Sequence, residues 1–224
     1  MFLNKADVGL YPLLIIDAVK GCCGIEYERP EWNIHFSRVR ELIPRLNSFA
    51  KKYRGMGGRI IWVKPTPWTE EYLPENINRL YRENPHADFY VTKNVERYAE
   101  FLPEMEVEPG DLIVEKNSYS AFTNSRLMDL LDSDTYLVVG VYADGCVNAT
   151  IVDGWSRGLF TYILSDLVES MDDPVKQGQK NFLLSHGWPL MYGHVMTSRE
   201  FLRLLDRSIE QSLSKTLSET SSSN

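Results

Sequence analysis

Four short apolar runs, Tyr11–Ile16, Ile60–Val63, Leu112–Val114 and Tyr136–Val141, lack the alternation of a half-solvated strand. Unbroken runs of this length suit the strands of a parallel sheet, whose two faces are both covered. A fifth run, Phe160–Leu164, follows Gly158, and a sixth strand is expected within Leu190–Met196. Between these runs, apolar residues recur at helical spacing over Ile34–Tyr53, Ser125–Leu131, Val147–Ser156, Val175–Leu184 and Ser198–Leu213. Strand and helix alternate along the chain. The pattern predicts an α/β fold with three layers, a doubly wound and mostly parallel sheet of about six strands.

Two stretches break the rhythm. Residues 64–109 carry Pro65, Pro67, Pro74, Pro85, Pro103 and Pro109, with Trp68, Tyr72, Tyr81, Phe89 and Tyr90 among them. A connection of that length in an α/β domain reads either as a lid or binding wall or as a rigid excursion packed by its own aromatics. From Ser212 onward the chain is rich in serine and ends Ser221-Ser222-Ser223-Asn224, a composition that cannot bury a core and is expected to be frayed or disordered. The organisation expected is one domain over residues 1–211, with 64–109 as its excursion, and a tail over 212–224.

Composition narrows the class. Hydrophobic residues make up 43% of the 224 positions and aromatics 12%, enough for a sizeable core. The net charge of −7 speaks against a protein that coats nucleic acid, which would carry a basic patch. Three cysteines, two of them adjacent, do not form a disulfide framework and point to a reducing compartment. The opening Met1-Phe2-Leu3-Asn4-Lys5-Ala6-Asp7 lacks the pattern of a signal peptide. No run approaches the ~20 apolar residues of a membrane span. The expectation is cytoplasmic, with a small molecule rather than nucleic acid or membrane as partner.

In open parallel sheets, ligands bind beyond the carboxyl ends of the strands. The first strand ends in Asp17. The third runs through Glu115 to Lys116. The fourth ends at Val141, and Tyr142-Ala143-Asp144-Gly145 then leads to Cys146, predicted to open a helix. An acid, an amine and a thiol therefore converge on one edge. A thiol with a free pKa near ~8.5 becomes a nucleophile when a helix N-terminus and a nearby cation lower that value. Unpaired N–H groups at the helix start suit an oxyanion, and Asp17 can take the thiol proton and return it to a leaving group. Each residue alone has an ordinary reading as cap, solvated side chain or core packing. Their coincidence at three strand ends carries the argument.

These residues lie in motifs that resemble the isochorismatase-like cysteine hydrolases, a group that includes nicotinamidases, N-carbamoylsarcosine amidase and ureidoacrylate amidohydrolase. Leu13-Leu14-Ile15-Ile16-Asp17 resembles the first strand with its aspartate. Lys116-Asn117-Ser118-Tyr119-Ser120-Ala121-Phe122 resembles the lysine block. Gly140-Val141-Tyr142-Ala143-Asp144-Gly145-Cys146-Val147-Asn148-Ala149-Thr150, continuing to Gly158 and Ser165-Asp166, resembles the nucleophile block. The resemblance implies a triad of Asp17, Lys116 and Cys146, with backbone N–H groups of Tyr142 and Cys146 facing the oxyanion. It also implies a cis peptide at Val141–Tyr142 and a homodimer or homotetramer. Two positions depart from the pattern, Val19 where glutamine is frequent and Ala143 where threonine is frequent. Metal-holding nicotinamidases carry an Asp-x-His pair after the second strand; here the chain reads Val63-Lys64-Pro65-Thr66-Pro67-Trp68, so neither a metal nor another cofactor is expected. Isochorismatases that cleave a vinyl ether tend to lack the cysteine. Its presence points to C–N hydrolysis of a small amide, carbamoyl or ureide compound.

Other residues are weighed beside these. Cys22-Cys23 lacks the spacing of a redox pair or a zinc knuckle. His35, His86, His186 and His194 are scattered and read as surface or packing. Asn117, Tyr119, Trp68 and Tyr72 are candidate substrate contacts, and Lys64, Arg79 and Arg82 could meet a carboxylate. Asp144 reads as a cap for the helix that Cys146 begins. The rival readings are a non-catalytic ligand-binding or assembly member of the same fold, and an ether hydrolase that works through Asp17.

Overall fold

A computed structural model describes residues 9–84 and 89–221. In chain order it contains β1 Leu13–Ile16, α1 Lys20–Cys23, α2 Ser37–Gly55, β2 Ile60–Pro65, α3 Glu75–Glu83, β3 Leu112–Lys116, α4 Leu127–Leu131, β4 Thr135–Val141, α5 Asn148–Ser156, β5 Phe160–Glu169, α6 Pro174–Phe182, α7 Trp188–Met191, β6 Gly193–Met196 and α8 Ser198–Ser221. The six strands form one sheet in the order β3-β2-β1-β4-β5-β6, every neighbouring pair parallel. The doubly wound α/β expectation is met.

The apolar runs explain the three layers. Along β1, Leu13 and Ile15 face one side and Leu14 and Ile16 the other, and all four are fully buried. The first side is covered by α2, through Val39, Leu42, Ile43, Leu46, Phe49, Ala50 and Tyr53, and by Phe201 and Leu205 of α8. The second is covered by Leu127 and Leu131 of α4, Ile151 of α5 and Trp188 of α7. Each such aliphatic side chain contributes about 1.5–3 kcal/mol on burial. Winding reverses between β1 and β4, so a crevice opens where Asp17 and the turn after β4 leave the sheet.

Several boundaries differ from the sequence expectation. β5 continues to Glu169 beyond a register shift opposite Val138–Gly140. The excursion contains a helix, α3, and a small core of its own from Trp68, Leu73, Ile77, Tyr81 and Val91. The serine-rich segment is helical as far as Ser221. There, serine is interleaved with Leu213, Lys215, Leu217 and Glu219, residue types of good helix propensity that extend an established helix. Residues 222–224 of the expected tail lie outside the described ones. Among the described residues, no helix is long and apolar enough to cross a membrane.

Candidate active site

Asp17 follows β1 with φ 54°, a left-handed conformation, while its N–H donates to the Val63 carbonyl at 2.8 Å. Lys116 closes β3. Cys146 lies in a wide turn, Ala143–Val147, between β4 and α5. The three come together: Lys116 Nζ stands 3.0 Å from Asp17 Oδ2 and donates to Cys146 Sγ at 3.3 Å and to the Ser118 carbonyl at 3.0 Å. Asp17 and Lys116 are 1% and 2% exposed, so the pair is sealed from water. The Asp17–Lys116 contact is charge to charge rather than an aligned hydrogen bond, and both carboxylate oxygens lack a well-directed donor among the described residues.

Electrostatics follow from this enclosure. Burial raises the Asp17 carboxyl above its ordinary 3.8, against the opposing charge of Lys116. Burial pulls the Lys116 ammonium down, the Asp17 carboxylate beside it pushes the other way, and the balance is raised, so the amine stays protonated. Cys146 corrects the sequence expectation. Burial first, and then the Asp17 charge, push its thiol well above the ordinary 9.0, and Lys116 offsets them only in part. The lowering expected from a helix start is weakened because α5 begins at Asn148 rather than at Cys146.

Neighbouring contacts hold the pieces in register. The Val141–Tyr142 peptide bond is cis. Tyr142 donates through its hydroxyl to the Cys22 carbonyl at 2.6 Å and stacks on Phe36. Thr150 Oγ1 donates to the Cys146 carbonyl at 2.8 Å and accepts from the Ala121 N–H at 3.0 Å, while Ser120 Oγ donates to Asp153 at 2.7 Å. The lysine segment is thereby fastened to α5. Asp144 does not cap α5; its carboxylate is drawn aside by Ser170 and Lys176.

The remaining candidates divide. Trp68 packs against Tyr119 with ring centroids 5.7 Å apart, and its ring lies 5.8 Å from Lys116 Nζ, so both border the triad. Tyr81, which sequence reasoning left among the aromatics of the excursion, links them: its hydroxyl accepts from Trp68 Nε1 and meets the Tyr119 hydroxyl, each at 3.0 Å. Tyr72 and Asn117 instead line an adjoining surface cavity of about 520 Å³ with Thr66 and Arg126. The cations offered for a carboxylate are engaged, Lys64 with Glu115, Arg79 with Glu83, and Arg82 with Glu70 and Glu75. Cys22 and Cys23 are buried free thiols, Cys22 beside the Tyr98 hydroxyl and Cys23 beside the Asp17 carbonyl. His35 faces Glu28, His186 bonds Ser185, and His194 packs between Phe160 and Tyr162; His86 lies outside the described residues. Among the described residues, no group of three or more His, Cys, Asp or Glu side chains is arranged to hold a metal ion.

Comparison with known proteins adds to this geometry. A family model, the isochorismatase domain, matches residues 12–200. Ureidoacrylate amidohydrolase RutB of Methylorubrum extorquens is 25% identical over 169 residues, which cover 68% of this chain and 67% of the relative. Among solved structures, a cysteine hydrolase from Pseudomonas syringae pv. phaseolicola 1448A superposes with a TM-score of 0.71 at 20% identity, over 92% of this chain and 95% of that one. N-carbamoylsarcosine amidase from Thermoplasma acidophilum gives a TM-score of 0.57 at 20% identity, over 84% and 95%.

Proposed function

Since this chain belongs to the isochorismatase family of hydrolases, we propose that it is a metal-independent cysteine hydrolase that cleaves a C–N bond of a small amide, carbamoyl or ureide compound. The observation that carries the reading is one ammonium touching two groups, Lys116 Nζ against both the Asp17 carboxylate and the Cys146 sulfur.

At rest the three groups are a carboxylate, an ammonium and a neutral thiol, a buried set with no net charge. Release of the thiol proton to solvent would leave an uncompensated buried anion, which is costly. Transfer of that proton to Asp17 keeps the set neutral. The raised carboxyl makes Asp17 a better base for it. Cys146 therefore becomes a thiolate only as it attacks. The sulfur adds to the substrate carbonyl carbon, and the oxyanion forms against backbone N–H groups of Tyr142 and Cys146. The C–N bond breaks as Asp17 gives its proton to the departing nitrogen. Water then adds to the thioester and passes a proton to Asp17, which returns it to the leaving sulfur. Lys116 stays charged throughout and steadies whichever neighbour is anionic.

Trp68 and Tyr119 form an apolar wall beside the reacting atoms, suited to a flat, small acyl group. The end of β2 and the residue after it offer Lys64, Pro65 and Thr66, with Lys64 turned to Glu115, and these do not fit a metal. Ammonia release should be screened over small amides, carbamoyl compounds and ureides, with quenched turnover followed by mass spectrometry. An acyl adduct on Cys146, and loss of turnover in Cys146→Ser, are expected. Full turnover in Cys146→Ala would instead favour ether-type hydrolysis through Asp17. A Cys146 that never acylates would favour a ligand-binding role.

A further inference from the structure

The turn that carries Cys146 is tied to distant parts of the molecule through Asp144, a side chain the proposed chemistry does not use. Asp144 is nearly buried, and both its oxygens are engaged. Oδ1 accepts from Ser170 Oγ at 2.7 Å, and Oδ2 pairs with Lys176 Nζ at 2.6 Å. Ser170 is fully buried directly after β5, and Lys176 lies in the first turn of α6. That helix is itself anchored. Asp173 accepts from the N–H groups of Val175 and Lys176, and Glu169 accepts from Gln177 and Lys180. Within the nucleophile turn, the N–H groups of Gly145 and Val147 both bond the Tyr142 carbonyl, at 3.0 and 3.1 Å. Gly145, the first of these donors, has non-helical φ −116° and ψ −111°. A turn with a glycine at its centre has freedom to re-form elsewhere. The carboxylate next to that glycine is held from two sides.

We propose that Asp144 is a positioning residue: clasped by Lys176 and Ser170, it fixes the Ala143–Val147 turn so that the backbone N–H groups of Tyr142 and Cys146 keep their aim at the oxyanion. This rests on the hydrolase reading above. Preorganised donors matter only where negative charge develops, so the clasp serves acyl transfer and leaves the intrinsic reactivity of the sulfur alone.

Two probes separate these effects. p-Nitrophenyl acetate acylates a cysteine through a tetrahedral oxyanion and expels p-nitrophenolate. Iodoacetamide alkylates sulfur by displacement at a saturated carbon, with no oxyanion. In Asp144→Asn, and in Lys176→Met at a side chain 42% exposed, acylation of Cys146 should fall by about 10-fold or more, up to the 10²–10³ that outright loss of an oxyanion donor costs. Alkylation and the thermal midpoint should stay close to the wild-type values, and Lys176→Arg should restore acylation. Wild-type acylation in Asp144→Asn would overturn the proposal. So would a parallel fall of acylation, alkylation and thermal midpoint, which marks general loosening. If wild-type Cys146 fails to acylate, or Cys146→Ser acylates equally, the hydrolase reading fails and takes this inference with it.

Discussion

Cys146 and Asp17 share one proton between two groups that both dislike being charged where they sit. Burial raises the carboxyl and the thiol alike, and Lys116 relieves each only in part. The charge-neutral transfer gives a pH signature with a definite sign. Asp17 must begin as a carboxylate, so the acylation rate should fall as pH drops through its raised pKa, an acid limb above the ordinary 3.8. The rate should not wait for ionisation of the thiol, because the proton moves internally. A pre-steady-state acylation profile from pH 4 to 11 measures this. In Asp17→Asn the base is gone, and acylation should drop by about 10²–10⁴, with the residual rate rising toward high pH as the thiol ionises on its own. A profile of the wild type that rises only above pH 9 would refute internal transfer.

Among the elements, the pairing of β1 with β4 sets the distance between acid and nucleophile, and Gly140 is its tightest point. It has φ +111° and pairs with Ile16, and a Cβ added there would stand 2.2 Å from the Ile16 carbonyl oxygen. No side chain fits between the strands at this position. Gly140→Ala combines a left-handed backbone with overpacking against main chain, and should cost at least about 3 kcal/mol. Denaturant unfolding should show the loss, and the residual folded protein should acylate slowly, because Asp17 directly follows Ile16. By contrast, α3 and the core of the excursion stand apart from the sheet. Their contribution to the site is the Trp68 ring and the Tyr81 hydroxyl, which holds Trp68 and Tyr119 in one wall.

For the molecule as a whole, helices on both faces of the sheet supply stability while the chemistry sits at one edge. Phe201 of α8 packs against Tyr53 and Tyr162 and Leu205 is buried in the same core, whereas Asp206, Arg207 and residues 210–212 are exposed. Phe201→Ala should therefore cost about 3–5 kcal/mol. Truncation after Ser212 should leave the unfolding free energy within about 1 kcal/mol of the full chain. Chemical denaturation of the two variants tests this. Equal losses would show that the end of α8 packs as firmly as its start.

The apolar runs and their alternation with helical spacing pointed to the parallel sheet by themselves, since central strands such as β1, covered on both faces, are written in near-continuous apolar residues. The ends of those runs marked Asp17, Lys116 and Cys146, because each lies at the end of a strand, directly beyond one, or one short turn from it. Other features were decided by tertiary structure. The thiol is raised rather than lowered because its charge state depends on enclosure and on Asp17, which no spacing of residues encodes. Asp144 reads locally as a helix cap, yet its partners are Ser170 and Lys176, brought to it by β5 and α6. Tyr81 looked like one aromatic among several until folding set its hydroxyl between Trp68 and Tyr119. Local pattern specifies elements and their termini; the field at a buried group is a sum over neighbours that only the fold assembles.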